Sequence, residues 1–184
     1  MTAGVGMEAD SRNIILTGFM ATGKSSVGPR LASRLGFTFV DLDIWIEAEA
    51  GMSVPQIFAS QGEGAFRELE ACMVERVASR TGCVIATGGG AIVNARNLEV
   101  LKRSGVLIAL TADPKTILSR LGRVEDRPML RGGDPQERIR LLLEERASAY
   151  AQADLTVDTS DRTVDEVVDH LVTLLVRHRV STVS

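Results

Sequence analysis

Gly18-Phe19-Met20-Ala21-Thr22-Gly23-Lys24-Ser25, reading GFMATGKS, follows the apolar run Ile14 to Thr17 and precedes an amphipathic segment. The octapeptide has the form GxxxxGKS, and its spacing has a chemical reason. Gly18 and Gly23 permit backbone conformations and a close approach that a side chain would block, so successive amides can point inward at phosphate oxygens. The N-terminus of the helix that follows adds positive potential at the same place. Lys24 is set to reach the β and γ phosphates of a nucleoside triphosphate, and the Ser25 hydroxyl to meet Mg²⁺.

Outward from this loop, four more short apolar runs alternate with longer helix-like segments: Thr38 to Asp41, Val84 to Thr87, Val106 to Leu110 and Leu155 to Val157. That alternation predicts a parallel sheet covered on both faces by helices, with all five strands buried. Asp113-Pro114 and Asp134-Pro135 each put a capping residue before a proline at the first helical position. Ser53 with Gln56, Asp134 with Glu137, and Thr163 with Glu166 have capping-box spacing, which starts helices near residues 54, 135 and 164. Pro29 falls inside the helix after the glycine loop and predicts a kink or a shortened first turn. Gly122 to Gly133, reading GRVEDRPMLRGG, fits neither period; charged and bracketed by glycines, it reads as a mobile lid.

A chain of 184 residues falls in the size range of one domain, so 1–184 reads as a single unit with residues 1–12 as a flexible tail. Aromatics at 4% and a net charge of −3 argue against a nucleic-acid partner, which would call for stacking platforms and excess Lys and Arg. Cys72 and Cys83 form neither a metal motif nor a disulfide framework, which fits a reducing compartment. No apolar stretch approaches the roughly 20 residues that span a bilayer, and Met1 to Ser11 lack the pattern of a signal peptide. A cytoplasmic monomer that engages neither membrane nor nucleic acid is the resulting expectation.

Phosphoryl-transfer loops of this kind usually work with an Asp at the end of a neighbouring strand. The third run ends Ala86-Thr87-Gly88-Gly89-Gly90 without an acid, whereas the second ends Val40-Asp41-Leu42-Asp43. Alternation along an extended chain would put Asp41 and Asp43 on one side. Asp41 is then the metal-directed carboxylate, through water, and Asp43 the group that meets an acceptor hydroxyl, orienting it or taking its proton. A solvated strand end with a helix cap is the alternative. Gly88-Gly89-Gly90 is a run no core requires, and close approach of a ligand explains it. Arg67 and Arg146 fall beside these loops and suit bidentate binding of a carboxylate, with surface ion pairs as the alternative. Residue chemistry alone reaches a small anionic acceptor.

Taken in order, the GxxxxGKS loop, Asp41-Leu42-Asp43, Phe66-Arg67-Glu68-Leu69-Glu70 as FRxxE, the triple glycine, Arg127-Pro128-Met129-Leu130 in the place of RPLL, and Glu145-Arg146 followed by Tyr150 resemble the shikimate kinases from Asn13 to about Leu175. The resemblance implies a three-layer, nucleoside monophosphate kinase-like P-loop fold: a five-stranded parallel sheet in order 2-3-1-4-5, helices on both faces and a lid at 122–133. It implies Mg²⁺-dependent transfer from ATP to shikimate, giving shikimate 3-phosphate on the way to chorismate and the aromatic amino acids. Lys24, Asp43 and Arg127 would be catalytic. Asp43, Arg67, Gly89 and Arg146 would contact shikimate, with Gly88 and Gly90 beside them. Ala21, Thr22, Gly23, Lys24, Ser25, Ser26, Arg127 and Arg162 would contact ATP, Arg120 would lie along the adenine, and Ser25 with Asp41 would serve the metal. Ala21 stands where the family commonly has glycine, Met129 replaces a leucine, and Pro29 is unusual. A gluconate-type kinase shares the loop, but FRxxE and the triple glycine weigh against it. A nucleotide-binding regulatory module without turnover is disfavoured by Asp43 and Arg127.

Overall fold

The computed structural model describes residues 12–122, 128–130 and 133–182. The tail at 1–11 and most of the lid, Arg127 included, lie outside the described residues. Five strands, β1 (Asn13–Thr17), β2 (Thr38–Asp41), β3 (Cys83–Ala86), β4 (Gly105–Thr111) and β5 (Leu155–Asp158), form one parallel sheet in the order β2-β3-β1-β4-β5. Ile15 of β1 pairs with Ile85 on one side and Leu107 on the other. The inner strands β1 and β3 are buried throughout because neighbours flank them and helices cover both faces. The expectation that all five strands are buried fails at the edges. β2 and β5 each keep one fully buried residue, Val40 and Val157, since an edge strand has a neighbour on one side only.

Alternation in β1 builds the two halves of the core. Ile14 and Leu16 point into a cluster with Leu31 of α1 (Lys24–Leu35) and Val167 and Leu171 of α7 (Val164–Thr182). Ile15 points the other way, to Ile46 of α2 (Leu42–Ala50), Ile57 and Val74 of α3 (Val54–Ala78), and Leu101 of α4 (Ala95–Ser104). Each such side chain contributes about 1.5–3 kcal/mol on burial, so the sheet is clamped from both faces. A third cluster fixes the phosphate loop, with Phe19 packed on Ile117 of α5 (Pro114–Arg120) and Ile139 and Leu142 of α6 (Pro135–Tyr150).

Helix starts follow their local signals. The Ser53 amide donates to Gln56 at 2.8 Å, the Thr163 amide to Glu166 at 2.8 Å, and Asp113 accepts from the amides of Lys115 and Thr116 at 3.0 and 2.9 Å. α1 runs without interruption through Pro29, so its first turn is not shortened; Pro29 is exposed, where water can serve the carbonyl whose partner the ring removes. α3 departs from helical geometry at Gly62, with φ 83° and ψ 173°. Those angles favour glycine, and the break divides the element into two limbs whose Phe58 and Phe66 rings meet at 4.9 Å.

Candidate active site

The phosphate loop is built around positions where geometry selects the residue. Gly18 has φ 137°, and a Cβ there would fall 2.1 Å from the Leu110 carbonyl oxygen. Ala21, at φ 61°, is the only described non-glycine residue with positive φ. A methyl in that region costs roughly 1–2 kcal/mol, a strain that glycine would not carry. The Lys24 ammonium donates to the Gly18 and Phe19 carbonyls at 2.7 Å each, and the residue is only 9% exposed. The loop therefore closes on its own lysine.

A cavity of about 510 Å³ opens on one side of this loop, walled by Ala21 to Val27, Arg120, Thr159 and Arg162. Its size suits a nucleotide. Arg120 is anchored by donating to the Thr159 hydroxyl at 3.0 Å and the Thr159 carbonyl at 2.6 Å. That hydroxyl lies 3.0 Å from the Thr22 carbonyl, so the turn after β5 and the phosphate loop are tied together. Asp41 ends β2 and caps α2: one carboxylate oxygen accepts from the Asp43 amide at 3.0 Å and the other from the Ser25 hydroxyl at 3.0 Å. Asp43 thus sits in the first helical turn, and strand alternation is not what positions it. The two carboxylates diverge, Asp41 toward Ser25 and Asp43 into a second cavity.

That second cavity, about 120 Å³, lies across the loop. Arg67 enters it from α3, paired with Glu70 at 2.8 Å and Glu63 at 3.1 Å. Arg146 enters from α6, 4% exposed, its guanidinium carbon 5.6 Å from the Phe19 ring centre. The glycine run leaves room beside each charged group. A Cβ on Gly88 would lie 3.0 Å from Glu70 and 3.2 Å from Asp43, and on Gly90 2.8 Å from Arg67. On Gly89 it would lie 3.4 Å from Arg146 and 3.5 Å from the Met20 amide nitrogen. Phe58, Phe66 and Val54 form the apolar wall.

Glu70 escaped the sequence reading except as a letter of FRxxE; its i,i+3 spacing from Arg67 on a helix was the available signal. It is 1% exposed, and its Oε1 has no hydrogen-bond partner among the described residues. Burial raises its pKa above the ordinary 4.5; Arg67 opposes the rise and the Asp43 charge adds to it. A raised folded value means that Glu70's contribution to stability is present below the ordinary value and is lost as pH rises through the raised one. Glu70→Gln lacks this loss. The melting temperature of the variant relative to the parent should therefore climb as pH increases from 4.5. Parallel melting curves across that range would show that Glu70 is not held away from its ordinary pKa.

A glycine loop at the carboxyl end of a parallel sheet, with a nucleotide-sized cavity on one side and an arginine-lined cavity on the other, defines a small P-loop kinase. Residues 20–176 match the sequence model of the shikimate kinase family, and a shikimate kinase of Caldanaerobacter subterraneus subsp. tengcongensis is 47% identical over 161 residues, 88% of this chain and 94% of the relative. The chain belongs to the shikimate kinase family. Among solved structures, the shikimate kinase from Acinetobacter baumannii in complex with shikimate superposes with a TM-score of 0.88 at 35% identity, covering 92% of this chain and 95% of that one. A gluconokinase from Sinorhizobium meliloti shares the fold alone, with a TM-score of 0.62 and 19% identity over 91% of this chain and 93% of that one.

Proposed function

We propose that the enzyme transfers the γ-phosphoryl group of ATP to shikimate, giving ADP and shikimate 3-phosphate, at the seam between the two cavities. The observation that carries this reading is that consecutive residues of one loop, Met20 and Ala21, line opposite cavities. A phosphoryl group held by the loop is thereby within reach of an acceptor held by Asp43, Arg67, Arg146 and the glycine run. In the transfer, the acceptor oxygen forms a bond to γ-phosphorus as the bond to the bridging oxygen of ADP breaks. Asp43 orients the attacking hydroxyl and receives its proton. Lys24, the loop amides and Arg127, which is carried over from the family resemblance, neutralise charge spreading over the transferred group. Arg67 and Arg146 hold the acceptor carboxylate by charge and by their forked donors.

Ser25 and Asp41 bring hard oxygen donors together at the nucleotide cavity, a set that suits Mg²⁺. Ser25 directly and Asp41 through water would hold it, and the ion would supply neutralising charge to the nucleotide phosphates. Both cavities are lined within one chain, so a single-domain monomer is a sufficient catalytic unit. The described cysteines are free thiols, Cys72 exposed and Cys83 buried, which suits a reducing cytoplasm. The reading is tested by ADP release with ATP alone, with shikimate and with gluconate. Release that depends on shikimate is expected; release that depends on gluconate, or on no acceptor, would overturn the assignment.

A further inference from the structure

The triple-glycine loop poses a conformational problem. Glycine peptides rotate freely, yet the run between β3 and the turn Ala91–Val93 must present a fixed edge to the acceptor. Two of its carbonyls are held by local backbone: Gly88 accepts from the Ala91 amide at 3.2 Å and Gly90 from the Val93 amide at 3.1 Å. The Gly89 carbonyl instead accepts from the Tyr150 hydroxyl, 61 positions away, at 2.6 Å. Among the described residues the three glycine amides meet no backbone acceptor, which leaves that edge for a ligand.

Tyr150 ends α6 and stands four residues after Arg146, so the two side chains share a helix face. The Arg146 guanidinium is close enough to the same hydroxyl for its positive charge to oppose the rise in the phenol's pKa. Arg146 also borders Gly89, its Nη1 lying 3.4 Å from where a Cβ would stand. The peptide that this hydroxyl holds is thus the one that the buried arginine borders. Burial raises the pKa of the phenol while the nearby Arg146 lowers it; the net rise keeps the proton on the oxygen, so it remains a donor to Gly89.

We propose that Tyr150 is a positioning residue for the acceptor, its hydroxyl fixing the Gly89 peptide beside the Arg146 guanidinium in the arrangement that receives the anionic substrate. This rests on the shikimate reading of the smaller cavity. Among the described residues Tyr150 does not line the larger cavity, so loss of its hydroxyl should act on the acceptor and not on the nucleotide.

The test is Tyr150→Phe, which removes one oxygen and keeps the ring. The KM for shikimate should rise about tenfold, as for loss of one well-placed hydrogen bond. Both kcat and the KM for ATP should stay within about twofold, the pattern of lost ground-state binding. A shikimate KM within twofold of the parent would overturn the proposal, whatever happens to kcat. A parallel rise in both KM values, or loss of ATP binding, would also overturn it, because the hydroxyl would then serve the fold. If the parent enzyme itself releases no ADP with shikimate, the functional reading fails instead, and the two failures are distinct.

Discussion

Lys24→Met lowers turnover of ATP with shikimate by about 10³-fold, the scale of losing a charged group that stabilises the transferring phosphoryl. The structure adds a second effect that the motif does not contain. Lys24 is nearly buried and holds the Gly18 and Phe19 carbonyls, so the variant also leaves two acceptors of the loop without their cation. A stability cost of about 1–3 kcal/mol follows from those lost charge-assisted bonds. Turnover in a coupled ADP assay and thermal melting on the same sample separate the effects. Turnover within tenfold of the parent would remove the loop from phosphoryl transfer, and an unchanged melting temperature would show that the lysine does not brace it.

Asp43→Asn reduces turnover by about 10²–10⁴-fold, the range for losing a positioned general base, while ATP binding stays at the parental level. The amide preserves shape and one acceptor oxygen but removes charge and basicity. Asp41→Asn behaves differently. It disturbs the carboxylate beside Ser25, and raised Mg²⁺ should recover much of its loss. Titrating Mg²⁺ against turnover for both variants checks the division of labour; equal recovery in both would abolish it. The Asp43 charge also contributes to the raised pKa of Glu70, so Asp43→Asn should reduce the pH dependence that Glu70 imposes on stability.

Local chemistry in the chain was enough to place the phosphate loop, the approximate extents of all five strands, and the helix starts at residues 54, 114, 135 and 164. Each of these depends on residues within a few positions of one another: glycines around a lysine, a cap with its proline or its glutamate, an aliphatic run long enough for one strand. The site residues were legible one at a time for the same reason. Asp43, Arg67, Arg146 and the glycine run each carry a chemistry that a fold has little use for. Their shared cavity was not legible as geometry, and the family resemblance, not spacing, suggested it.

What escaped the reading depends on contacts between distant segments. The edge strands lose burial because sheet order leaves each with one neighbour. Asp43 owes its direction to a helix that begins one residue after the strand ends, a boundary that alternation cannot see. The break at Gly62 folds one limb of α3 back so that Phe58 and Phe66 share a wall. Glu70 is a buried carboxylate, paired with Arg67 and with the glycine run beside it, an arrangement that only packing creates. The link from Tyr150 to Gly89 crosses 61 positions and needs α6 packed against the turn after β3. Local propensity and motif spacing are short-range properties written in the order of residues; burial, pKa and the meeting of two cavities across one loop arise from packing, which exists only once the sheet and its helices have closed on each other.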